Sequence, residues 1–236
     1  MFEAPSGKTY HNVSVSQPAM GLSTTFALGT TYFEGLSTWF QRPSRMTGRA
    51  CDHRWMLIVV SGLPGTGKSA LAERLGQELG AVVLSVDPIE AAMLESGIEH
   101  SFATGYAAYR IVSTIIEANL ALGQTMIVDA VSGVAEAKAW WPTLAMEAGV
   151  SLAVIECICS DSGLHRSRLE ARMRGLGSFP EPTWVDVERR REEWVPWVMP
   201  HLVVDAVRPL DVNVADALAY VAESADNKTP KGTSLP

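Results

Sequence analysis

The chain has 236 residues, of which 47% are hydrophobic and 19% charged, and its net charge at pH 7 is −7. This composition is that of an ordinary globular protein and excludes a low-complexity or fibrous chain. The acidic balance gives no bulk attraction for nucleic acid or acidic membranes. The three cysteines lack C-x-x-C spacing, as is typical of a reducing compartment, and no apolar stretch approaches the ~18 residues of a membrane span. We therefore expect a cytoplasmic protein without a membrane partner.

Residues 1–50 differ from the rest of the chain. They are rich in Ser, Thr and Gly, contain few acidic residues and show no sustained strand or helix periodicity. We expect this extension to be disordered or loosely attached. Two alternatives are a biological start at Met46 and a transit peptide, although its arginines sit only at the end of the segment. The tail, residues 225–236, is polar and is expected to fray.

A phosphate-binding pattern follows the first apolar run. Met56–Val60 predicts a strand buried on both faces. Residues 62–69 then fit G-x-x-x-x-G-K-[ST], and leucines recur at helical spacing from Leu71. A strand, a glycine-rich turn and a helix form the context in which this pattern binds nucleotide phosphates. The residues expected to contact ATP here are Gly62, Leu63, Pro64, Gly65, Thr66, Gly67, Lys68, Ser69 and Ala70.

The residue types in this turn explain the chemistry. Glycines let backbone N–H groups point at phosphate oxygens where a Cβ would obstruct, and the helix N-terminus adds free amides and the positive end of its dipole. Lys68 would place a cation on the β- and γ-phosphates, and the Ser69 hydroxyl would bind Mg²⁺. ATP and Mg²⁺ are therefore the expected cofactors.

Strands and helices alternate along the rest of the chain, which predicts a parallel sheet covered on both faces. We assign residues 55–224 to this domain. Further strands are predicted at 81–85, 125–129, 150–159 and 202–205. Helices are predicted from 89 to about 96, through Tyr109 to a stop at Gly123, through Trp141, at 164–172, from a Thr183–Asp186 capping box, and at 214–222.

The remaining motifs narrow the class of nucleotide-binding protein. The Asn227-Lys228 pair continues Thr-Pro and lacks the aspartate of a guanine-reading N-K-x-D motif, which excludes a GTPase. The chain is also too short for the additional elements of motor and transporter ATPases. Small kinases are the class that remains.

Three segments resemble the small P-loop kinases: residues 62–69, Leu84-Ser85-Val86-Asp87 and Ile127-Val128-Asp129-Ala130. This group of AAA-type ATP-binding kinases includes zeta-toxin and chloramphenicol phosphotransferase-like kinases, gluconate kinase and the kinase domain of polynucleotide kinases. Residues 164–172 resemble the helix before their mobile lid, and the resemblance covers about 55–220. It implies a three-layer α/β P-loop NTPase fold, a five-stranded parallel sheet of order 2-3-1-4-5 and a short lid near 173–183.

Asp87 is the strongest candidate for a catalytic residue. It ends the predicted second strand, at the carboxyl edge where open α/β sheets bind ligands. A carboxylate there can orient an attacking hydroxyl and accept its proton, and the similar kinases have an acid at this place in that role. The alternative is an N-cap aspartate, because Asp-Pro is a favourable pair for starting a helix.

Asp129 ends the third predicted strand and is the second candidate. It would hold Mg²⁺ through a water molecule, with the Ser69 hydroxyl as the direct ligand. Its alternative role is that of a turn residue at the end of a strand.

Arginines crowd the predicted lid, whose Gly and Pro residues resemble hinges. Arg172 and Arg174 are the predicted cations that stabilise the transferring phosphoryl group. Arg168, together with Arg166, is predicted to reach adenine or phosphate. The alternative is a solvated helix face paired with glutamates, which is favoured for Arg189–Arg191.

The predicted reaction is ATP-dependent transfer of the γ-phosphoryl group to a hydroxyl of a small molecule, with Asp87 and Lys68 as catalytic residues. One alternative is a polynucleotide or nucleotide 5′-kinase, which the acidic charge disfavours. A second alternative is a nucleotide-binding switch or toxin-like protein without kinase activity. The residues name neither a single acceptor nor an oligomeric state.

Overall fold

The computed structural model describes residues 55–177 and 179–226, so the predictions for residues 1–50 and for the tail beyond 226 lie outside it. Five strands are present: β1 (Met56–Gly62), β2 (Val82–Ser85), β3 (Met126–Asp129), β4 (Ser151–Ile158) and β5 (Leu202–Asp205). The helices are α1 (Lys68–Leu79), α2 (Val86–Glu95), α3 (Phe102–Ala121), α4 (Ala135–Ala148), α5 (Ser162–Ala171), α6 (Trp184–Glu192) and α7 (Leu210–Asp226). Within this part of the chain, no helix combines the length and apolar character that a membrane span requires.

All strand pairs are parallel, and the sheet has the order β2-β3-β1-β4-β5, which confirms the predicted topology. Val60 lies opposite Asp129 on β3, and Ser61 lies opposite Glu156 on β4. Because the strands are parallel, their carboxyl ends meet at one edge of the sheet. The turn after β1 therefore opens between the ends of β3 and β4, where ligands of such sheets bind.

The core lies in two layers, one on each side of the sheet. Every residue of β1 is buried, and its successive side chains point to opposite faces. One layer contains Leu57, Val59, Ile116, Trp141 and Val154, and the other contains Ile58, Val60, Leu71, Leu75 and Ile155. The continuous apolar run of β1 thus supplies both layers, as expected for a central parallel strand.

The junction between β2 and α2 differs from the prediction. β2 ends at Ser85, which is the N-cap of α2, and Asp87 lies in the first helical turn. Both predicted positions of Asp87, at the end of the strand and at the N-cap, are therefore wrong. The reason is local: Ser85 has the extended backbone of a cap, and Pro88 fits the first turn of a helix that begins at Val86. The last helix also differs, because α7 begins at Leu210 rather than at Val214.

Lys138 of α4 is a buried charge that the sequence pattern did not single out. Its side chain is 6% exposed, and its Nζ lies 4.3 Å and 4.4 Å from the ring centroids of Trp194 and Trp197. Among the described residues, no hydrogen-bond acceptor reaches this ammonium group. Burial lowers the pKa of Lys138 to about 8, although the nearby Glu156 carboxylate acts in the opposite direction.

Replacing this lysine should change how stability depends on pH. Between pH 8 and about 10.4, the unfolded chain binds a proton at Lys138 that the folded chain has lost, so the free energy of unfolding should rise with pH. In Lys138→Met this contribution disappears. The stability of the wild type relative to the variant is therefore expected to increase by about 1–3 kcal/mol between pH 7 and pH 10. Urea unfolding of both proteins across this range measures the difference, and parallel pH curves would contradict it.

Candidate active site

The turn between β1 and α1 has the shape of an anion-binding loop. Gly62 has a φ of +150°, and a Cβ there would collide with the carbonyl oxygen of Cys157. Thr66 closes the turn by donating its hydroxyl to the Leu63 carbonyl at 2.8 Å. α1 begins after Gly67 without a side-chain cap, which leaves its first amides available to a ligand.

A polar cluster of two buried residues, Lys68 and Asp129, and two less buried serines lies beside this turn. The Ser69 hydroxyl donates to Asp129 Oδ2 at 2.7 Å, and the Ser85 hydroxyl donates to the same oxygen at 2.9 Å. Lys68 Nζ lies 3.7 Å from Asp129 Oδ1, and both side chains are buried. The structure thus brings the predicted Lys68, Ser69 and Asp129 together. Ser85 was not predicted, and its position at the end of a strand was the available signal.

The cluster is chemically suited to a hard divalent cation. Asp129 is 5% exposed, and no hydrogen-bond donor in the described part of the chain reaches its Oδ1. The Ser69 hydroxyl oxygen contacts the other oxygen of the same carboxylate. Mg²⁺ takes oxygen ligands and commonly uses few protein groups alongside phosphate oxygens and water. Ser69 and Asp129 therefore fit this ion.

The lid residues form a second cluster around Asp87. Arg174 donates from Nη1 to Asp87 Oδ2 and from Nε to both carboxylate oxygens of Glu181, each at 3.0 Å. Arg172 Nη2 lies 3.2 Å from Glu181 Oε2. The structure therefore joins the predicted Asp87 directly to Arg174, and Glu181, which sequence reasoning missed, joins Arg174 to the predicted Arg172.

Both lid guanidinium groups are largely enclosed and retain unused donors. Their side chains are 18% and 17% exposed, for Arg172 and Arg174 respectively. Arg172 Nε and Arg174 Nη2 are buried and have no hydrogen-bond acceptor among the described residues. Burial, followed by the charge of Arg174, lowers the pKa of Arg172. The described structure thus leaves buried N–H groups of both arginines without a protein acceptor.

A pocket of about 210 Å³ opens beside the start of α1. Arg168 lines it and donates from Nη1 to the Ala206 carbonyl at 2.9 Å. Arg166 instead pairs with Glu170 on the exposed face of α5, at 2.8 Å. The other residues around the pocket are Thr66, Gly67, Ala70, Leu71, Cys157, Val204, Ala206, Arg208, Leu210 and Asn213. The pocket thus adjoins the phosphate turn and includes the predicted Ala70 and Arg168.

The fold and the phosphate turn together define a P-loop NTPase fold. Residues 57–193, more than half of the chain, match the family described as AAA domain, and the chain belongs to this family. A search of curated proteins found no match.

Solved structures of small kinases share this fold. A putative kinase from Chloroflexus aurantiacus has a TM-score of 0.58 and 22% identity over 71% of this chain and 98% of that chain. The APS kinase CysC of Mycobacterium tuberculosis, solved with AMPPNP and APS, has a TM-score of 0.56 and 22% identity over 72% and 98%. A gluconokinase from Sinorhizobium meliloti has a TM-score of 0.55 and 16% identity over 74% and 95%. The predicted resemblance to small P-loop kinases is confirmed at the level of the fold.

Proposed function

We propose that the protein is an ATP-dependent phosphotransferase whose acceptor is a hydroxyl of a small molecule. One observation carries this proposal: the Ser85 hydroxyl donates to Asp129, and Asp87 follows Ser85 in the first turn of α2. The cluster of Lys68, Ser69 and Asp129 and the pair of Asp87 with its lid arginine therefore lie at the same edge of the sheet. A phosphate-binding loop by itself supports nucleotide binding. An acid held beside cations at the carboxyl edge of the sheet adds the groups that transfer requires.

In this proposal, the nucleotide lies across the start of α1. The loop amides and Lys68 hold the β- and γ-phosphates, and the pocket beside Arg168 takes the base. The Ser69 hydroxyl and the Asp129 carboxylate would hold Mg²⁺. When bound, Mg²⁺ would neutralise phosphate charge. Lys68 and the serines keep the Asp129 carboxylate in place.

Asp87 and the lid arginines act on the transferred group. The γ-phosphoryl group competes with the carboxylates for Arg174, and Asp87 is then free to accept the proton of the acceptor hydroxyl. The acceptor oxygen forms a bond to the γ-phosphorus, the bond from that phosphorus to the bridging oxygen breaks, and ADP leaves. Arg172 and Arg174 stabilise the charge on the phosphoryl oxygens meanwhile.

An acceptor screen with γ-labelled ATP tests the function. Sugars, nucleosides, antibiotics and oligonucleotides form the panel, with gluconate and APS included because neighbours of the same fold are named for them. Transfer to a small hydroxyl compound is the expected result. Label on an oligonucleotide 5′ end would favour the nucleic-acid kinase, which the net charge of −7 disfavours. Nucleotide binding without transfer to any acceptor would favour the binding switch.

The lid arginines can be tested without knowing the acceptor. ADP with fluoroaluminate mimics the transferring phosphoryl group. Arg174→Ala is expected to weaken binding of this complex by about 100-fold, because the variant removes the Nη2 donor that has no protein acceptor and no other side chain replaces it. Binding of ADP alone should change by less than about threefold. Arg166→Ala is the matched control, since its exposed guanidinium pairs with Glu170. Calorimetric titration measures both ligands, and equal losses for ADP and its fluoroaluminate complex would contradict this role.

A further inference from the structure

His165 of α5 is a buried histidine in contact with the phosphate loop. It is 1% exposed, its Nε2 lies 2.8 Å from the Pro64 carbonyl oxygen, and its Nδ1 lies 3.2 Å from Arg191 Nη2. A guanidinium group can only donate, so Nδ1 is the acceptor in this pair. Nε2 therefore carries the proton and donates it to the Pro64 carbonyl. The two partners together select one neutral tautomer of the ring.

The imidazole is enclosed by three parts of the fold. A Cβ on Gly65 would lie 3.2 Å from His165 Cδ2, which shows that the loop packs directly on the ring. The Trp184 ring lies at 5.2 Å in an edge-to-face arrangement, and the Arg191 guanidinium lies 5.3 Å from the Trp184 ring centroid. The loop, α5 and α6 therefore all meet at this histidine.

The positions of α5 and α6 connect the contact between His165 and the phosphate loop to the lid. α5 ends at Ala171 and α6 begins at Trp184, so the segment between them carries both lid arginines. We propose that His165 is a positioning residue that holds the Pro64–Gly65 turn in its phosphate-binding shape and couples that turn to the two helices flanking the lid. This inference rests on the proposed nucleotide binding and adds a residue that touches neither nucleotide nor acceptor.

The charges around the ring favour its neutral form. Burial lowers the pKa of His165, the Pro64 carbonyl acts in the opposite direction, and the positive charges of Arg191, Arg168 and Arg172 lower the pKa further. At pH 7 the neutral tautomer is therefore maintained. A protonated ring would turn its Nδ1 into a donor that faces the guanidinium of Arg191, and the link to α6 would break.

Replacing His165 by Gln or by Asn tests its two hydrogen bonds one at a time. The amide nitrogen of Gln is as many bonds from Cα as His Nε2, whereas the amide group of Asn matches the position of Nδ1. His165→Gln should keep the bond to Pro64 and hold the dissociation constant of Mg·ADP within about threefold of the wild type. His165→Asn loses that bond and should weaken Mg·ADP binding by about tenfold. Melting temperatures of both variants verify that they are folded.

The contact between His165 and Arg191 of α6 is tested by variants of Arg191. When Arg191→Ala is added to the His165→Asn variant, Mg·ADP affinity should fall no further. Both changes interrupt the same chain of contacts from Pro64 through His165 to Arg191. In the wild type, protonation of the ring breaks the link to α6, so ADP affinity should fall in acid; Arg191→Ala has already lost this link, so its ADP affinity should fall less in acid than that of the wild type. His165→Gln should lack this acid loss. Arg189→Ala is the control, since Arg189 pairs with Asp186 instead.

The results of these experiments distinguish a failure of the inference about His165 from a failure of the proposed function. If the wild type binds Mg·ADP and the folded Asn variant binds it equally well, His165 does not position the loop, while the proposed function stands. If Arg191→Ala leaves the pH profile of ADP binding unchanged, the coupling to α6 is overturned even if the Asn variant does not fold. If the wild type binds no Mg·ADP, the proposed function fails, and this inference fails with it.

Discussion

A Lys68→Ala variant is expected to bind ATP about 10–100-fold more weakly and to lose at least about 10³-fold in kcat/KM for phosphoryl transfer. Lys68 is 6% exposed at the first residue of α1, and its Nζ lies 3.7 Å from Asp129 Oδ1. Removing it takes away the cation for the phosphates and also leaves the buried carboxylate without its positive neighbour. ATP titration by calorimetry and initial rates with the acceptor found in the screen measure the two losses.

The matched control for this variant lies on the same helix. Arg74 of α1 is partly exposed and pairs with Glu78 and Asp211, so Arg74→Ala removes one positive charge from α1 away from the loop. Its ATP affinity should stay within about twofold of the wild type, because surface ion pairs contribute little. Circular dichroism verifies that both variants are folded. A folded Lys68→Ala variant with wild-type affinity for ATP would show that the loop is not a nucleotide site.

Much of the fold could be predicted from the sequence because buried parallel strands are continuous apolar runs. The start of β1 at Met56 and both bounds of β5 were predicted as the structure shows them, whereas β1 continues to Gly62, two residues beyond its predicted end. The order of the strands came from the resemblance to small kinases and not from periodicity. The start of α2 could not be placed, because Ser85, Asp87 and Pro88 are all favourable at a helix N-terminus and only the three-dimensional structure selects among them.

The candidate site also contains residues that the local sequence predicts and residues that only the three-dimensional structure identifies. The phosphate loop could be predicted from the sequence because its function depends on neighbouring residues in one turn. The contact of His165 with Pro64 joins residues 101 positions apart, and no local pattern carries that information. Glu181 was visible in the lid, but its pairing with both arginines depends on how the lid folds back onto Asp87. Sequence reasoning thus found the groups that face the ligand more readily than the groups that hold them.

Asp87→Asn is expected to lower kcat by about 10²–10⁴-fold while the dissociation constant of Mg·ADP stays within about twofold. The amide has nearly the same shape and can still accept a hydrogen bond from Arg174, but it cannot take the proton of the acceptor hydroxyl. Pre-steady-state measurement of transfer, with an ADP titration alongside, separates the chemical step from binding. Glu73→Gln is the control, because it makes the same carboxylate-to-amide change on an exposed part of α1.

The structure offers a second role for this residue, since Asp87 also anchors Arg174. If anchoring were its whole role, Asp87→Asn, which keeps an acceptor for Arg174, would lose little transfer. Asp87→Ala would then weaken binding of ADP with fluoroaluminate as Arg174→Ala does, and the Asp87→Ala, Arg174→Ala double variant would be no worse than either single one. If Asp87 accepts the proton, fluoroaluminate binding by Asp87→Asn stays near the wild-type value while transfer is lost, because that complex contains no acceptor hydroxyl. Unchanged transfer in a folded Asp87→Asn variant would contradict the role of Asp87 as the proton acceptor.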